Sequence, residues 1–99
     1  MIENNSDEQI ILNFSEIHTS KELHKYLKKE LNFPDFYGMN WDAFWDAITG
    51  LVELPENLVI VGWDNLVKTI PEDAKNFKEL MERSNRVRLC KCIIKYLDL

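Results

Sequence analysis

The sequence predicts an α/β fold in which a small three-stranded parallel sheet packs with about four helices. Apolar runs at residues 9–14, 58–62 and 87–97 are separated by stretches with helical spacing. Strands that alternate with helices in this way indicate a parallel sheet with right-handed crossovers. The chain has 99 residues, 45% of them hydrophobic, which suits one globular domain. We expect that domain at residues 9–99, after a short flexible extension at residues 1–8.

The first helix is predicted by its N-terminal cap and its apolar stripe. Thr19 precedes Glu22 by three residues, which is the capping-box pattern. The apolar residues that follow have helical spacing and leave the lysines largely outside the stripe. They are Leu23, Tyr26, Leu27 and Leu31. Pro34 and Gly38 then interrupt the pattern, so residues 32–38 are predicted to form a loop.

The second helix is predicted from one residue that suits its start and one that suits its end. Asn40 suits the N-cap, and Gly50 suits the C′ position after the last turn. Between them Trp41, Phe44 and Ile48 form an apolar stripe, so we interpret these three side chains as core.

Two more helices are predicted after the strand at residues 58–62. A short helix covers residues 63–70 and ends before Pro71, because the residue before a proline is disfavoured in α geometry. The next helix begins at Pro71, with acidic residues in its first turn. Its inward-facing residues are predicted to be Phe77, Leu80 and Met81.

The net charge of −5 is concentrated in one part of the chain. Residues 32–54 hold four acidic side chains and neither lysine nor arginine, whereas the other residues carry thirteen acids and twelve bases. Six of the eleven aromatic residues lie in the same segment. Binding to DNA or RNA is driven by lysine and arginine, so we expect no nucleic-acid partner.

Cys90 and Cys92 flank Lys91 within the last apolar run. On a strand, their side chains would share one face about 7 Å apart, too far for an unstrained disulfide. Neither His18 nor His24 is near enough in sequence to complete a four-ligand metal site. Buried structural thiols are the favoured interpretation, and a redox or metal role is the alternative. We expect no metal and no small-molecule cofactor.

Asp42 and Asp46 lie four residues apart on the predicted second helix, with no cation at neighbouring positions to offset their repulsion. A solvated acidic face is one interpretation. Trp45 between the apolar stripe and this acidic edge favours another, because exposed aromatic residues anchor protein interfaces. An acidic aromatic surface suits a basic partner and electrostatically steered association.

Catalysis is the third hypothesis, with Asp42 and Asp46 as general acid and base. The sequence contains no glycine-rich phosphate loop, no HExxH motif and no nucleophile elbow. His18 and His24 are interpreted as surface or half-buried side chains. We therefore predict no enzymatic activity and no catalytic residue.

Residues 22–55 read ELHKYLKKELNFPDFYGMNWDAFWDAITGLVELP. This stretch closely resembles the barstar family, small intracellular protein inhibitors of barnase-type ribonucleases. The motifs LKKEL, PDFYG and WDAxWDAxTG occur in the family's order and spacing, and a looser similarity covers nearly all the remaining chain. The resemblance implies a barstar-like three-stranded parallel sheet with helices. It also implies inhibition by occlusion, with Asp46 in place of a substrate phosphate.

The resemblance also implies which residues bind the partner. The predicted binding residues are Phe36, Tyr37, Gly38, Asn40, Asp42, Trp45, Asp46, Thr49, Gly50 and Leu51. Phe36 and Leu51 depart from the best-known member, which has tyrosine and tryptophan there. That member also contributes a glutamate from a later helix. The best alignment places Arg83 at this position, and a shift of one residue places Glu82 there.

The leading hypothesis is therefore a cytoplasmic bacterial inhibitor that binds a barnase-like ribonuclease one-to-one. The second is an immunity or antitoxin protein against a different secreted toxin with a basic active site. No window is apolar enough to span a bilayer, and the start MIENNSDEQ is unlike a secretory signal. We expect no membrane partner and a cytoplasmic location.

Overall fold

The computed structural model describes residues 9–88 and 91–97. Within these residues it contains the three predicted strands and four helices in the predicted order. The α/β fold class is therefore confirmed. The proposed extension at residues 1–8 and Cys90 lie outside the described residues.

The sheet is parallel and has β2 at its centre. Its strands are β1 (Gln9–Asn13), β2 (Asn57–Val61) and β3 (Ile93–Leu97). Side chains alternate between a buried and a more exposed face, as the period of a strand requires. Leu12 of β1 pairs with Ile60 of β2, and both are fully buried. One face of the sheet thus forms a wall of the hydrophobic core.

Four α-helices accompany the sheet. They are α1 (Ser20–Glu30), α2 (Trp41–Asp46), α3 (Trp63–Thr69) and α4 (Pro71–Val87). The predicted capping box of α1 is present. The side chain of Thr19 accepts a hydrogen bond from the backbone N–H of Glu22, and the Glu22 carboxylate accepts one from the backbone N–H of Thr19. No helix among the described residues is long and apolar enough to cross a membrane.

The core connects the sheet to α2 through α4. The ring of Phe77 on α4 lies 5.6 Å from that of Phe14, which follows β1, and 5.7 Å from that of Phe44 on α2. All three side chains are fully buried. Aromatic pairs at these distances add packing energy beyond the area they bury. The position of α2 is therefore set by the same core that holds the sheet.

The predicted last strand begins too early. The sequence placed it at residues 87–97, whereas α4 continues to Val87 and β3 begins at Ile93. The side chain of Asn85 accepts a hydrogen bond from the backbone N–H of Cys92 at 2.9 Å. It also donates one to the backbone carbonyl oxygen of Cys92 at 2.8 Å. An apolar run alone does not separate the end of a buried helix from a strand, which is why the boundary was missed.

Cys92 is a buried free thiol just before β3. Burial raises the pKa of this thiol to about 11, which disfavours the reactive thiolate. The prediction that Cys92 is buried is confirmed.

The predicted end of the second helix is also wrong. After Asp46 the chain continues through a π-helical turn, Ala47–Leu51, in which the N–H of Val52 bonds to the carbonyl of Ala47. Gly50 therefore lies inside the helix and does not have the positive φ of a C′ glycine. Glycine signals alone cannot reveal such a turn, because it depends on a changed hydrogen-bond pattern.

Candidate partner-binding site

The loop between α1 and α2 is held in a defined shape by its backbone. Asn32 and Met39 near its two ends adopt left-handed conformations, with φ of 61° and 59°. Between them the N–H of Tyr37 donates to the carbonyl of Pro34 at 3.0 Å. Asparagine tolerates this conformation, whereas it is uncommon for a residue such as methionine. The loop therefore turns at two defined backbone positions.

Tyr37 anchors the loop in the core. Its side chain is 6% exposed, and its hydroxyl lies 2.7 Å from Nδ1 of His24 on α1. The same hydroxyl has a longer contact, 3.5 Å, to the carbonyl oxygen of Asn40. Burial raises the pKa of Tyr37, so the phenol stays protonated. Of the ten predicted binding residues, Tyr37 is the one that is buried.

His24 is fully buried, contrary to its interpretation as a surface or half-buried residue. Its ring lies 4.5 Å from that of Trp41, the first residue of α2. Burial lowers the pKa of His24, and the negative charge of Asp73 opposes that effect. The apolar stripe of α1 did not reveal this position, because His24 is polar and its partners are distant in sequence.

Trp41 links α2 to α4. Its indole N–H donates to Oδ1 of Asp73 at 2.8 Å, and the same oxygen accepts a hydrogen bond from the hydroxyl of Ser20 at 3.1 Å. One carboxylate therefore contacts the beginnings of α1 and α2. Asp73 was not among the predicted site residues, and no local sequence pattern marks it.

Asn40 caps α2 as predicted. Its side-chain oxygen accepts a hydrogen bond from the N–H of Ala43 at 2.7 Å, while its amide group donates to the carbonyl of Gly38 at 3.2 Å. The cap satisfies a free N–H at the helix start. It also joins the end of the loop to the first turn of α2.

Nine of the ten predicted binding residues are exposed or half-buried, and they come together on the loop, α2 and the π-helical turn. We call them the acidic aromatic surface: Phe36, Gly38, Asn40, Asp42, Trp45, Asp46, Thr49, Gly50 and Leu51. Phe36 is 75% exposed and Leu51 is 49% exposed. Phe36 and Leu51 line one cavity with Asp46, so their exposed apolar side chains lie beside a carboxylate.

Asp46 occupies the centre of this surface. It lines a cavity of about 230 Å³ together with Phe36, Tyr37, Gly38, Ala43 and Leu51. It also lines a second cavity, of about 470 Å³, between α2 and α4. Asp46 is exposed to solvent and lines both cavities.

The π-helical turn shapes the far side of the surface. The hydroxyl of Thr49 donates to the carbonyl oxygen of Trp45 at 2.6 Å, so it satisfies a backbone group within the helix. Gly50 follows with no atom within 4 Å of where a Cβ would lie. Turns of this type occur frequently at functional sites. Sequence reasoning missed the turn, although it placed both residues at the site.

The lining of the second cavity shows which of Arg83 and Glu82 lies beside the acidic aromatic surface. Arg83 lines that cavity with Asp42, Trp45 and Asp46, and its guanidinium carbon lies 5.8 Å from the centre of the Trp45 ring. Burial is the main cause of the raised pKa of the Tyr96 phenol, and the negative charge of Glu82 adds to it. Glu82 therefore lies near Tyr96. Arg83, rather than Glu82, therefore adjoins the acidic aromatic surface.

A comparison with protein families decides the identity of the fold. The family model described as Barstar (barnase inhibitor) matches residues 8–90. The chain belongs to the barstar family. The family resemblance read from the motifs of residues 22–55 is thereby confirmed.

A curated relative agrees with this membership of the barstar family. A protein of Bacillus subtilis (strain 168) with the name "Putative ribonuclease inhibitor YrdF" is 43% identical over 56 residues. The aligned segment makes up 57% of this chain and 62% of the relative. The chain thus covers less than two thirds of that protein's length.

The carboxylates of this barstar-family surface are open to solvent. Asp42 and Asp46 are both exposed, whereas a carboxylic acid that acts as a general acid is typically held in an apolar pocket. Within residues 9–88 and 91–97, no group of three or more histidine, cysteine, aspartate or glutamate side chains is arranged to hold a metal ion. The acidic aromatic surface contains exposed carboxylates beside apolar side chains.

Proposed function

We propose that this barstar-family protein inhibits a barnase-type ribonuclease in a reversible one-to-one complex. In this complex the acidic aromatic surface covers the active site of the enzyme, and the protein itself performs no catalysis. Asp46 takes the place of a substrate phosphate. A carboxylate suits that role because it accepts paired hydrogen bonds from arginine much as a phosphate does.

The position of Asp46 is the observation that carries this proposal. Its carboxylate is exposed between two cavities, with Phe36 and Leu51 on one side and Trp45 on the other. Apolar side chains around a charge exclude water when a partner docks, and exclusion of water strengthens the charge–charge attraction. A basic cleft that receives Asp46 would gain both apolar contacts and charge-assisted hydrogen bonds.

The surface is pre-organised for binding. The contact of Tyr37 with His24 fixes the loop, and the Asn40 cap fixes the start of α2. The hydrogen bond from Trp41 to Asp73 fixes α2 against α4. A rigid surface loses less conformational entropy on association, so this architecture supports tight binding.

The charge distribution supports rapid association with a basic protein. The segment of residues 32–54 contains no lysine or arginine, and its exposed acids include Asp42 and Asp46. Such a field raises the encounter rate with an oppositely charged cleft, and added salt reduces the effect. The cytoplasm remains the proposed location, and the free thiol of Cys92 is in keeping with a reducing compartment.

A second candidate is immunity against a different toxin with a basic active site. Two features favour it: Leu51 replaces the tryptophan of the best-known family member, and Arg83 adds a cation beside the acidic side chains. Pull-down from cells that express candidate toxins separates the two functions. Capture of a toxin that is not a ribonuclease, followed by direct binding of the purified pair, favours this second candidate.

The proposed function is tested by calorimetry with a purified barnase-type ribonuclease, made as an inactive variant. Asp46→Asn keeps the shape of the side chain and removes its charge. We expect a loss of affinity of about 10- to 150-fold, which corresponds to about 1.5–3 kcal/mol for a hydrogen-bonded charge. Glu16→Gln, a matched change at an exposed residue outside the surface, should leave affinity unchanged. Equal affinities for Asp46→Asn and the wild-type protein would refute the phosphate-mimic mechanism.

A further inference from the structure

The cavity between α2 and α4 combines opposite charges. Its described lining includes three acidic side chains, Asp42, Asp46 and Glu79, and one basic side chain, Arg83. All four residues are exposed. A surface built only to meet a uniformly basic cleft has no use for an accessible cation beside its central carboxylate.

Arg83 is held above Trp45 and remains open to solvent. Its guanidinium carbon is 5.8 Å from the ring centre, within the distance of a cation–π contact. Glu79 precedes it by four residues, a spacing that permits ion pairs on a helix. In the part of the chain that the structure describes, however, Arg83 forms no ion pair with a carboxylate.

The contact with Trp45 leaves the N–H donors of Arg83 available, because the side chain is exposed. A guanidinium has five N–H donors in a rigid plane, which match the paired oxygens of a carboxylate. When a partner covers the cavity, water is removed from these donors. Burial of an unpaired cation is unfavourable, and a like charge opposite it makes the cost larger.

We infer that Arg83 determines partner specificity, and that the partner presents an aspartate or glutamate carboxylate to it beside the basic groups that receive Asp46. The inference rests on the proposed function, because it requires the acidic aromatic surface to be the interface. The preferred partner is therefore a ribonuclease whose cleft is basic at its centre and carries one acidic side chain at its rim. Trp45 serves as the platform that orients the guanidinium towards that side chain.

Charge reversal at Arg83 tests the sign of the interaction. The probe is an inactive barnase-type ribonuclease encoded in the same genome, with affinities measured by calorimetry. Arg83→Glu should weaken binding at least 10-fold, Arg83→Gln should weaken it less, and Arg83→Lys should retain most of it. Arg86→Glu is the matched control, since Arg86 is an exposed arginine of α4 that does not line the cavity. It should change affinity less than threefold.

A double-mutant cycle identifies the partner carboxylate. Each acidic residue at the rim of the ribonuclease cleft is changed to alanine and combined with Arg83→Gln. We expect one of these residues to be coupled to Arg83, so that the double variant loses no more affinity than either single variant. The reversed pair, Arg83→Glu with lysine at that ribonuclease position, should recover part of the binding.

Two results would overturn the inference. Tighter binding by Arg83→Glu would show that the facing surface is basic. Equal losses for Arg83→Glu and Arg83→Gln, without coupling to any ribonuclease acid, would show that Arg83 only holds the Trp45 ring. Asp46→Asn, measured in parallel, separates these failures from failure of the proposed function. If the wild-type chain does not bind, the proposed function itself fails and the inference fails with it, whereas equal binding by Asp46→Asn refutes only the phosphate-mimic mechanism.

Discussion

Nδ1 of His24 on α1 lies 2.7 Å from the hydroxyl oxygen of Tyr37 in the loop before α2, and both side chains are buried. In a neutral imidazole, Nδ1 accepts a hydrogen bond from the tyrosine hydroxyl in one tautomer and donates one to its oxygen in the other. Burial lowers the pKa of His24 and favours this neutral form, although Asp73 acts in the opposite direction. The loop that carries Phe36 is thus joined to α1 by a buried contact that involves a titratable side chain.

We predict that acid weakens the fold through His24. Because folding lowers the pKa of His24, the unfolded chain binds more protons as the pH falls through the histidine's ordinary value of 6.5. Stability from this residue is complete above that value and is lost progressively as the pH falls towards the lower pKa of the folded state. Urea unfolding at about pH 7.5 and about pH 5.5 should give a lower free energy of unfolding in acid.

His24→Gln should reduce that pH dependence, since the glutamine amide can hydrogen-bond the Tyr37 hydroxyl as donor or acceptor but does not titrate. His18→Gln is the control, because His18 is exposed, and it should behave like the wild-type protein. The same loss of stability in acid for His24→Gln and wild type would contradict the role assigned to His24.

A second prediction compares two helix caps. Asn40 caps α2 within the acidic aromatic surface, whereas Thr19 caps α1 outside it. Either Asn40→Ala or Thr19→Ala should lower the free energy of unfolding by about 0.5–2 kcal/mol, because each leaves an N–H of the first turn without its acceptor. Urea denaturation measures this loss.

Only Asn40→Ala should also weaken binding to a barnase-type ribonuclease, because Asn40 joins the loop to α2. The affinities are compared at a temperature where both variants are fully folded. Equal affinities for the two variants would show that the cap stabilises the fold without arranging the surface.

A third prediction concerns two glycines that differ in local geometry. Gly62 has φ of 75°, and a Cβ there would lie 2.7 Å from the backbone nitrogen of Ser15. Gly50 has open space around the corresponding position. Gly62→Ala should therefore lower the free energy of unfolding by more than about 1 kcal/mol, whereas Gly50→Ala should raise it by about 0.4–1 kcal/mol. A Gly62→Ala protein as stable as wild type in urea would show that β1 and β2 can separate at this point.

Local patterns in the sequence were sufficient for the order of elements and for the acidic, aromatic character of residues 32–54. The Thr19 cap, the Asn40 cap and the apolar stripe with Phe44 depend on residues a few positions apart, so spacing alone predicts them. The absence of lysine and arginine from residues 32–54 is likewise visible in the sequence alone.

Boundaries and long-range contacts depended on more than spacing. The extension of α4 to Val87 involves contacts made by Asn85 with the chain before β3. The π-helical turn at Ala47–Leu51 changes the hydrogen-bond pattern without a distinctive residue signal. The spacing of the apolar residues predicts neither the end of α4 nor the π-helical turn.

The sequence by itself determined the α/β class, the parallel strand order and the acidic, aromatic character of the segment before and within α2. The tertiary structure alone decided that His24 is buried against Tyr37, that Asp73 joins α1, α2 and α4, and that Arg83 faces Trp45. The physical reason is the range of the interactions. Secondary structure follows from neighbours within a few residues, whereas a buried polar contact requires partners that only the folded chain brings within hydrogen-bonding distance.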